Sequence, residues 1–118
     1  MDYRPTVWVL KEQVKSTTNG PVPMDYTAAY AYGNIRFITE MDLPLHPNST
    51  VAKEWSKQVE KFMKEVNAND YVILTGQPLA MFLFGALCAV AEFIPNLLVW
   101  RREQSRYVVY DPTQIVGE

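Results

Sequence analysis

The chain has 118 residues, 48% of them hydrophobic and 20% charged, with a formal net charge of −2. That length closes one hydrophobic core and is short for two ordinary domains, so residues 1–118 read as a single domain. The weak negative charge argues against duplex nucleic acid as the main partner, because phosphate binding needs a concentrated positive face. The single cysteine, Cys88, leaves no intramolecular disulfide or cysteine-based metal site, and the polar start at Met1 to Pro5 carries no leader pattern. A reduced, cytoplasmic setting is the expectation.

In chain order, Thr6-Val7-Trp8-Val9-Leu10 predicts an opening strand that reaches toward Val14. Lys15-Ser16-Thr17-Thr18-Asn19-Gly20-Pro21 predicts a polar loop with strong turn chemistry. Asp25 is placed to cap a short helix over Tyr26 to Tyr32, with Gly33 where a helix C′ residue belongs. Asn34 to Glu40 alternates Ile35, Phe37 and Thr39 with Asn34, Arg36, Ile38 and Glu40, the pattern of a half-buried strand. Asp42 to Pro47 is a proline-containing linker with the chain's only histidine, His46. Asn48 or Ser49 then caps a long helix through Val66, whose Val51, Trp55, Val59, Phe62, Met63 and Val66 form one apolar stripe.

The stretch from Asp70 to Ile94 dominates the pattern. Tyr71-Val72-Ile73-Leu74 is a continuous apolar run suited to a strand buried on both faces. Thr75-Gly76-Gln77 breaks it, and Pro78 fits the first position of a helix, where a missing N–H costs nothing. Leu79 to Ile94 is then apolar on every side, interrupted by Gly85 and Glu92. These sixteen residues fall short of the roughly 20 that span a bilayer, and strand-like segments adjoin both ends, so a buried helix is expected and no membrane segment. Leu97 to Trp100 predicts a further strand, Arg101 to Ser105 a charged turn, and Arg106 to Tyr110 a strand that pairs back, with fraying after Asp111-Pro112. The whole reads as an α/β fold: a small Rossmann-like layered domain, mostly parallel in its sheet, with a C-terminal antiparallel hairpin.

Three elements resemble a group of small proteins common in tailed-phage and prophage genomes: Asp25-Tyr26-Thr27 with Ala29 and Tyr32-Gly33; Asp70-Tyr71 with Thr75-Gly76 and Pro78; and Leu98, Trp100, Arg102 and Tyr107. The likeness spans most of the chain and implies no particular activity. Separately, the strand, Thr75-Gly76 turn and helix are similar to nucleotide-sensing Rossmann-like domains of CRISPR-associated effectors. There, a Thr-Gly-Gly-Thr-Lys-type turn lies beside a cyclic oligonucleotide. Only Thr75 and Gly76 match that turn, with Gln77, Pro78 and Leu79 in place of its Gly, Thr and Lys.

In a parallel sheet, ligands gather outside the carboxyl ends of the strands. If the first and third predicted strands are adjacent, Lys15, Ser16, Thr17, Thr18 and Asn19 meet Thr75, Gly76 and Gln77 there, with Tyr26 available to stack a ring. Hydroxyls, amides and helix N–H groups would then face a phosphate or nucleotide. The same residues also make ordinary turns, which composition alone favours. A bend plugged by its own side chains would remove the ligand reading.

Tyr26, Tyr30 and Tyr32 form an aromatic cluster beside Asp25, read either as packing or as a stacking surface. Arg101, Arg102 and Arg106 form the densest basic patch. His46 has no neighbour to share a metal, Glu40 and Asp42 have no nucleophile beside them, and no nucleotide-binding or hydrolase fingerprint is present. No catalytic residue, metal or cofactor is assigned. The expectation is therefore non-catalytic binding of a nucleotide-like or other anionic small ligand, as by a phage protein that sequesters a host defence signal in the host cytoplasm. The alternative is a protein-interaction module docking through the tyrosines or the basic hairpin, and behind it a small nucleotide hydrolase or nuclease. The all-apolar Leu79–Ile94 helix needs a second cover, and a homodimer through it is expected.

Overall fold

The computed structural model describes residues 4–44 and 46–116, apart from the side chains of Val14, Lys15, Ser16, Pro23, Ile115 and Val116. Its strands are β1 (Thr6–Lys11), β2 (Val14–Thr17), β3 (Gly20–Pro23), β4 (Asn34–Thr39), β5 (Tyr71–Ile73), β6 (Asn96–Arg101) and β7 (Arg106–Tyr110). The helices are α1 (Thr50–Glu65), α2 (Pro78–Val90) and α3 (Pro112–Val116), with 3-10 turns at Thr27–Ala31 and Arg102–Gln104. The expected α/β architecture is what forms.

Val7, Trp8, Val9 and Leu10 are all buried, so β1 needs a partner on each edge and a cover on each face. It finds β4 and β5, both parallel to it, and the main sheet runs β4-β1-β5-β6-β7 with only β7 antiparallel to its neighbour. The chain leaves β1 toward one edge and leaves β5 toward the other. The crevice between those two strands is therefore the switch point at which open α/β sheets place ligands.

The two faces are covered differently. Helices α1 and α2 pack on the face that carries Trp8, Leu10 and Val72. Phe62 is the hub there, with ring centroids 5.1 Å from Trp8, 5.4 Å from Phe84 and 6.2 Å from Phe93. The predicted stripe of α1 supplies this packing through Trp55, Val59 and Phe62, and Ser49 caps the helix by accepting the Ala52 N–H at 3.1 Å. The opposite face, with Val7, Val9, Ile73, Leu98 and Tyr107, is met by Ala29 of the first 3-10 turn and by Tyr26 and Tyr32. A buried carboxylate ties the sheet together: Asp70 accepts the Thr6 N–H at 2.9 Å, the Trp8 indole N–H at 3.0 Å and the Asn67 N–H at 2.9 Å.

Several local expectations need correction. The polar segment at Lys15 to Pro21 is not a loop: it forms the β2–β3 hairpin, whose tight turn is made possible by Gly20 at φ +104° and a Thr17 hydroxyl donated to Gly20 O at 2.6 Å. The helix expected over Tyr26 to Tyr32 is a 3-10 turn, though Asp25 does accept the Thr27 N–H at 2.9 Å. Gly33 has no left-handed φ; a Cβ there would lie 2.2 Å from the Pro5 carbonyl oxygen, so close approach is what requires glycine.

Helix α2 ends at Val90 and not at Ile94. Glu92 takes the left-handed position usual for glycine (φ +58°), and the N–H groups of Glu92 and Phe93 donate to Ala89 O at 3.0 Å and Cys88 O at 2.9 Å, closing the helix in a Schellman motif. Beyond β7, Asp111 accepts the Thr113 N–H at 3.0 Å and starts α3 where fraying is expected; Gly117 and Glu118 lie outside the described residues.

Candidate functional site: a cavity at the carboxyl edge of the sheet

Side chains alternate along a strand, so Leu98 and Trp100 of β6 share the face turned away from α1 and α2. The antiparallel register sets Tyr107 directly opposite Trp100, and the two rings meet edge to face at 5.0 Å and 68°. No long helix covers this part of the face. Instead β3 and the residues after it bring Val22, Met24, Asp25 and Tyr26 over it, while Gln13, Ile73, Leu74 and Thr75 close the side toward the switch point. They enclose a cavity of about 710 Å³, a size ordinary for a small-molecule site, which runs roughly 300–1,000 Å³. Its floor is apolar and aromatic, with Tyr107 buried and Trp100 47% exposed.

Asp25, Tyr26 and Tyr107 are the acidic groups among the described lining residues. Hydrogen bonds from the Thr27 hydroxyl and N–H hold the Asp25 carboxyl below its usual range, so it is ionised at neutral pH. Burial pushes the Tyr26 phenol up; the Gln13 backbone opposes this and the Glu12 charge adds to it. The Tyr26 hydroxyl is buried, and its nearest polar neighbour, the Gln13 backbone, falls short of good hydrogen-bond geometry. Burial raises the Tyr107 phenol in the same direction, and the neighbouring Tyr26 and Asp25 add to it in that order. Among the described residues no lysine or arginine lines the cavity; the side chain of Lys15, which pairs with the lining residue Val22, is not among them.

Of the residues expected to bind a ligand, the structure brings Thr75 and Tyr26 to this cavity. Strands β1 and β5 are adjacent and parallel as the expected pocket requires, but the segment that meets the glycine bend is Lys11 to Gln13. The bend is filled from within, so the ligand reading of the Thr75-Gly76-Gln77 turn itself is withdrawn. The Thr75 hydroxyl donates to Lys11 O at 2.6 Å and accepts the Lys11 N–H at 3.0 Å. The Gln77 carboxamide accepts the Leu43 N–H at 2.7 Å and donates to Leu43 O at 3.1 Å. Gly76, at φ +93°, packs beside the Gln13 side chain, and its conformation is a requirement of the turn.

Lys15, Ser16, Thr17, Thr18 and Asn19 belong to the hairpin. The side chains of Lys15 and Ser16 lie outside the described residues, Thr17 spends its hydroxyl on the turn, and Thr18 and Asn19 are exposed at the tip. The three tyrosines do not form one platform. Tyr32 packs on Tyr71 at 5.4 Å and donates its hydroxyl to Tyr107 O at 3.2 Å, while Tyr30 points outward with its backbone carbonyl taking a hydrogen bond from Arg4. In the basic hairpin, Arg101 pairs with Glu103 at 3.1 Å and Arg106 donates to Gln104 at 2.8 Å, so two of its three arginines are engaged locally. Trp100, Tyr107, Leu98 and Met24 were not among the expected binding residues. The available signal was the predicted hairpin, whose strand pairing puts Trp100 against Tyr107.

Elsewhere, His46 is exposed and Asp42 lies 3.7 Å from Lys11. Burial pushes the Cys88 thiol up to about 11, so it stays protonated and unreactive at neutral pH. Among the described residues no three metal-ligating side chains gather, and no helix is long and apolar enough to cross a membrane.

Against known proteins, the family model described as Phage Pam3 gp32-like protein matches residues 5–113. This agrees with the likeness to small phage proteins, and nothing in it speaks for the CRISPR-associated likeness of the Thr75-Gly76 turn. Comparison with curated proteins and with solved structures finds no match.

Proposed function

We propose that this chain, which belongs to the family of Phage Pam3 gp32-like proteins, is a non-catalytic binding protein. Its ligand is a small molecule with a flat, ring-bearing body, of which a nucleoside or nucleotide is the leading class. The observation that supports this reading is the cavity of about 710 Å³ beside the switch point, floored by Leu98, Trp100 and Tyr107 and walled by Tyr26 and Met24. Such a slot buries a planar ring against aromatic faces. A phosphate does not suit the corner held by ionised Asp25, so an anionic tail would point outward, toward solvent. A protein of this kind would act in the host cytoplasm by holding a signalling nucleotide out of circulation.

The test is a thermal-shift series with nucleosides, nucleoside monophosphates and cyclic oligonucleotides. A ligand at a hundred times its dissociation constant stabilises the folded state by about 2.7 kcal/mol, which a melting curve resolves. No shift with any ring-bearing ligand would remove the reading.

A second reading concerns assembly. From Pro78 to Ala91 the helix carries no charge, yet Phe82 is 73% exposed and Val90 82%. A second copy of the chain laid against α2 would cover both. Light scattering should return twice the chain mass, and Phe82→Glu should halve it; a monomer at high concentration would end this reading.

A further inference from the structure

Resting on the reading of α2 as a dimer face, we infer that the groove between α1 and α2 is the seat for Phe82 of the partner subunit, so that two copies lock reciprocally, ring into groove. Leu83, Leu87 and Val90 of α2 and Trp55 and Ser56 of α1 line a hollow of about 500 Å³. A second hollow of about 320 Å³ continues it toward Met63, and Ser56, Leu87 and Val90 belong to both. The groove is apolar apart from Ser56 and, at its far end, Glu60 and Lys64. At 3.6 residues per turn, Phe82 stands one flank round from Leu83, and its ring is exposed. A bare aromatic ring and an apolar hollow thus lie side by side on one face of the molecule.

Area, composition and symmetry point to a second copy as the occupant. The chain exposes 8220 Å², where a compact monomer of 13.6 kDa exposes about 6,600 Å². That surplus accommodates the roughly 800 Å² which each partner gives up in a standard interface. Gly85 is the second observation. It sits inside α2, where glycine is the poorest helix former after proline, yet neither a left-handed φ nor crowding requires it, since a Cβ there meets nothing within 4 Å. Gly85 and Ala89 share the Phe82 flank and are exposed, and their small size lets the wall of a partner's groove close on the helix. With two copies related by a twofold axis parallel to α2, the Phe82 flank of each helix faces the groove flank of the other, and two rings fill two grooves. The uncharged run from Pro78 to Ala91 then meets its copy without burying a charge.

The experiment is light scattering on the full chain over a concentration series, with two variants that add bulk where the single chain has room. Ser56→Trp fills the groove from α1, and Gly85→Leu thickens the Phe82 flank; both should keep the circular dichroism of the parent. Each should raise the dimer dissociation constant by about thirtyfold or more, the scale of losing an interface hot spot. An oxidised equal mixture of Phe82→Cys and Ser56→Cys chains should cross-link into dimers faster than either variant alone, and it decides the matter should Ser56→Trp not fold. A dimer that survives Ser56→Trp, or a mixture that cross-links no faster than its components, would overturn the groove seat and leave the α2 dimer standing. A parent chain that stays monomeric at millimolar concentration would overturn both, and its sedimentation with phosphatidylcholine vesicles would assign the face to a lipid surface.

Discussion

The two faces of the central sheet begin from the same strands and end in different states. On one, α1 and α2 cross over β1 and β5 and bury Phe62 among Trp8, Phe84 and Phe93. On the other, a five-residue 3-10 turn and a two-stranded hairpin cover less ground, and the aromatic pair Trp100 and Tyr107 remains beside a cavity. The difference teaches where stability and binding reside. A crossover of sixteen residues, as in α1, spans a parallel pair and closes its face, while the short connections on the far face hold the sheet edge and leave its carboxyl end open. If this division is right, the two faces will answer substitution in opposite ways.

The largest effect should fall on the closed face. Phe62→Ala should cost about 3–5 kcal/mol, the usual range for a buried aromatic truncated to alanine, read as a fall in the denaturation midpoint at unchanged slope. A loss below 1 kcal/mol would mean that this face is not the stabilising one. Asp70→Ala comes next. It strands the N–H groups of Thr6, Asn67 and the Trp8 indole, and a loss of about 2–4 kcal/mol is expected from leaving buried donors unpaired.

A smaller effect is carried by pH. Burial pushes the Cys88 thiol up to about 11 in the folded chain from its ordinary value of 9.0. The folded state therefore keeps the proton that the unfolded chain gives up. Its contribution is complete below pH 9 and is lost as pH rises toward 11. Stability measured across that window should fall, and Cys88→Ala should flatten the part of the decline that belongs to this group.

The smallest structural effect is expected at the cavity. Trp100→Ala, on a side chain 47% exposed, should lower stability by about 1 kcal/mol or less and abolish ring binding. A large loss of stability with ligand binding intact would reverse the assignment of the two faces.

Much of the closed face was legible in the residues themselves. The stripe of α1, its Ser49 cap and Pro78 at the start of α2 are local signals, each written within a few neighbouring positions. The fold class followed from strands alternating with helices. The open face was not legible in the same way, because its site is assembled across sequence distance: Tyr26 comes from the segment after the hairpin, Ile73 from β5, and Trp100 and Tyr107 from opposite strands of a pair. The β2–β3 hairpin carries hydroxyl and proline residues that read as a loop, since its strands pair with each other and have no apolar alternation to show. The bend at Thr75-Gly76-Gln77 misled for a related reason. Hydroxyl and amide side chains that resemble phosphate ligands are consumed by backbone partners at Lys11 and Leu43, both distant in sequence. Glu92 at a left-handed φ likewise breaks the residue preference on which a predicted helix end depends.

The central claim is that the open face holds a ring, and a two-dimensional NMR titration of the labelled chain with adenosine tests it most directly. The account predicts that chemical-shift changes concentrate on the Trp100 indole, Leu98, Ile73 and Tyr26, with the α1 and α2 core unmoved. Changes centred instead on Gly76 and Leu79, or spectra that do not change up to millimolar adenosine, would contradict it.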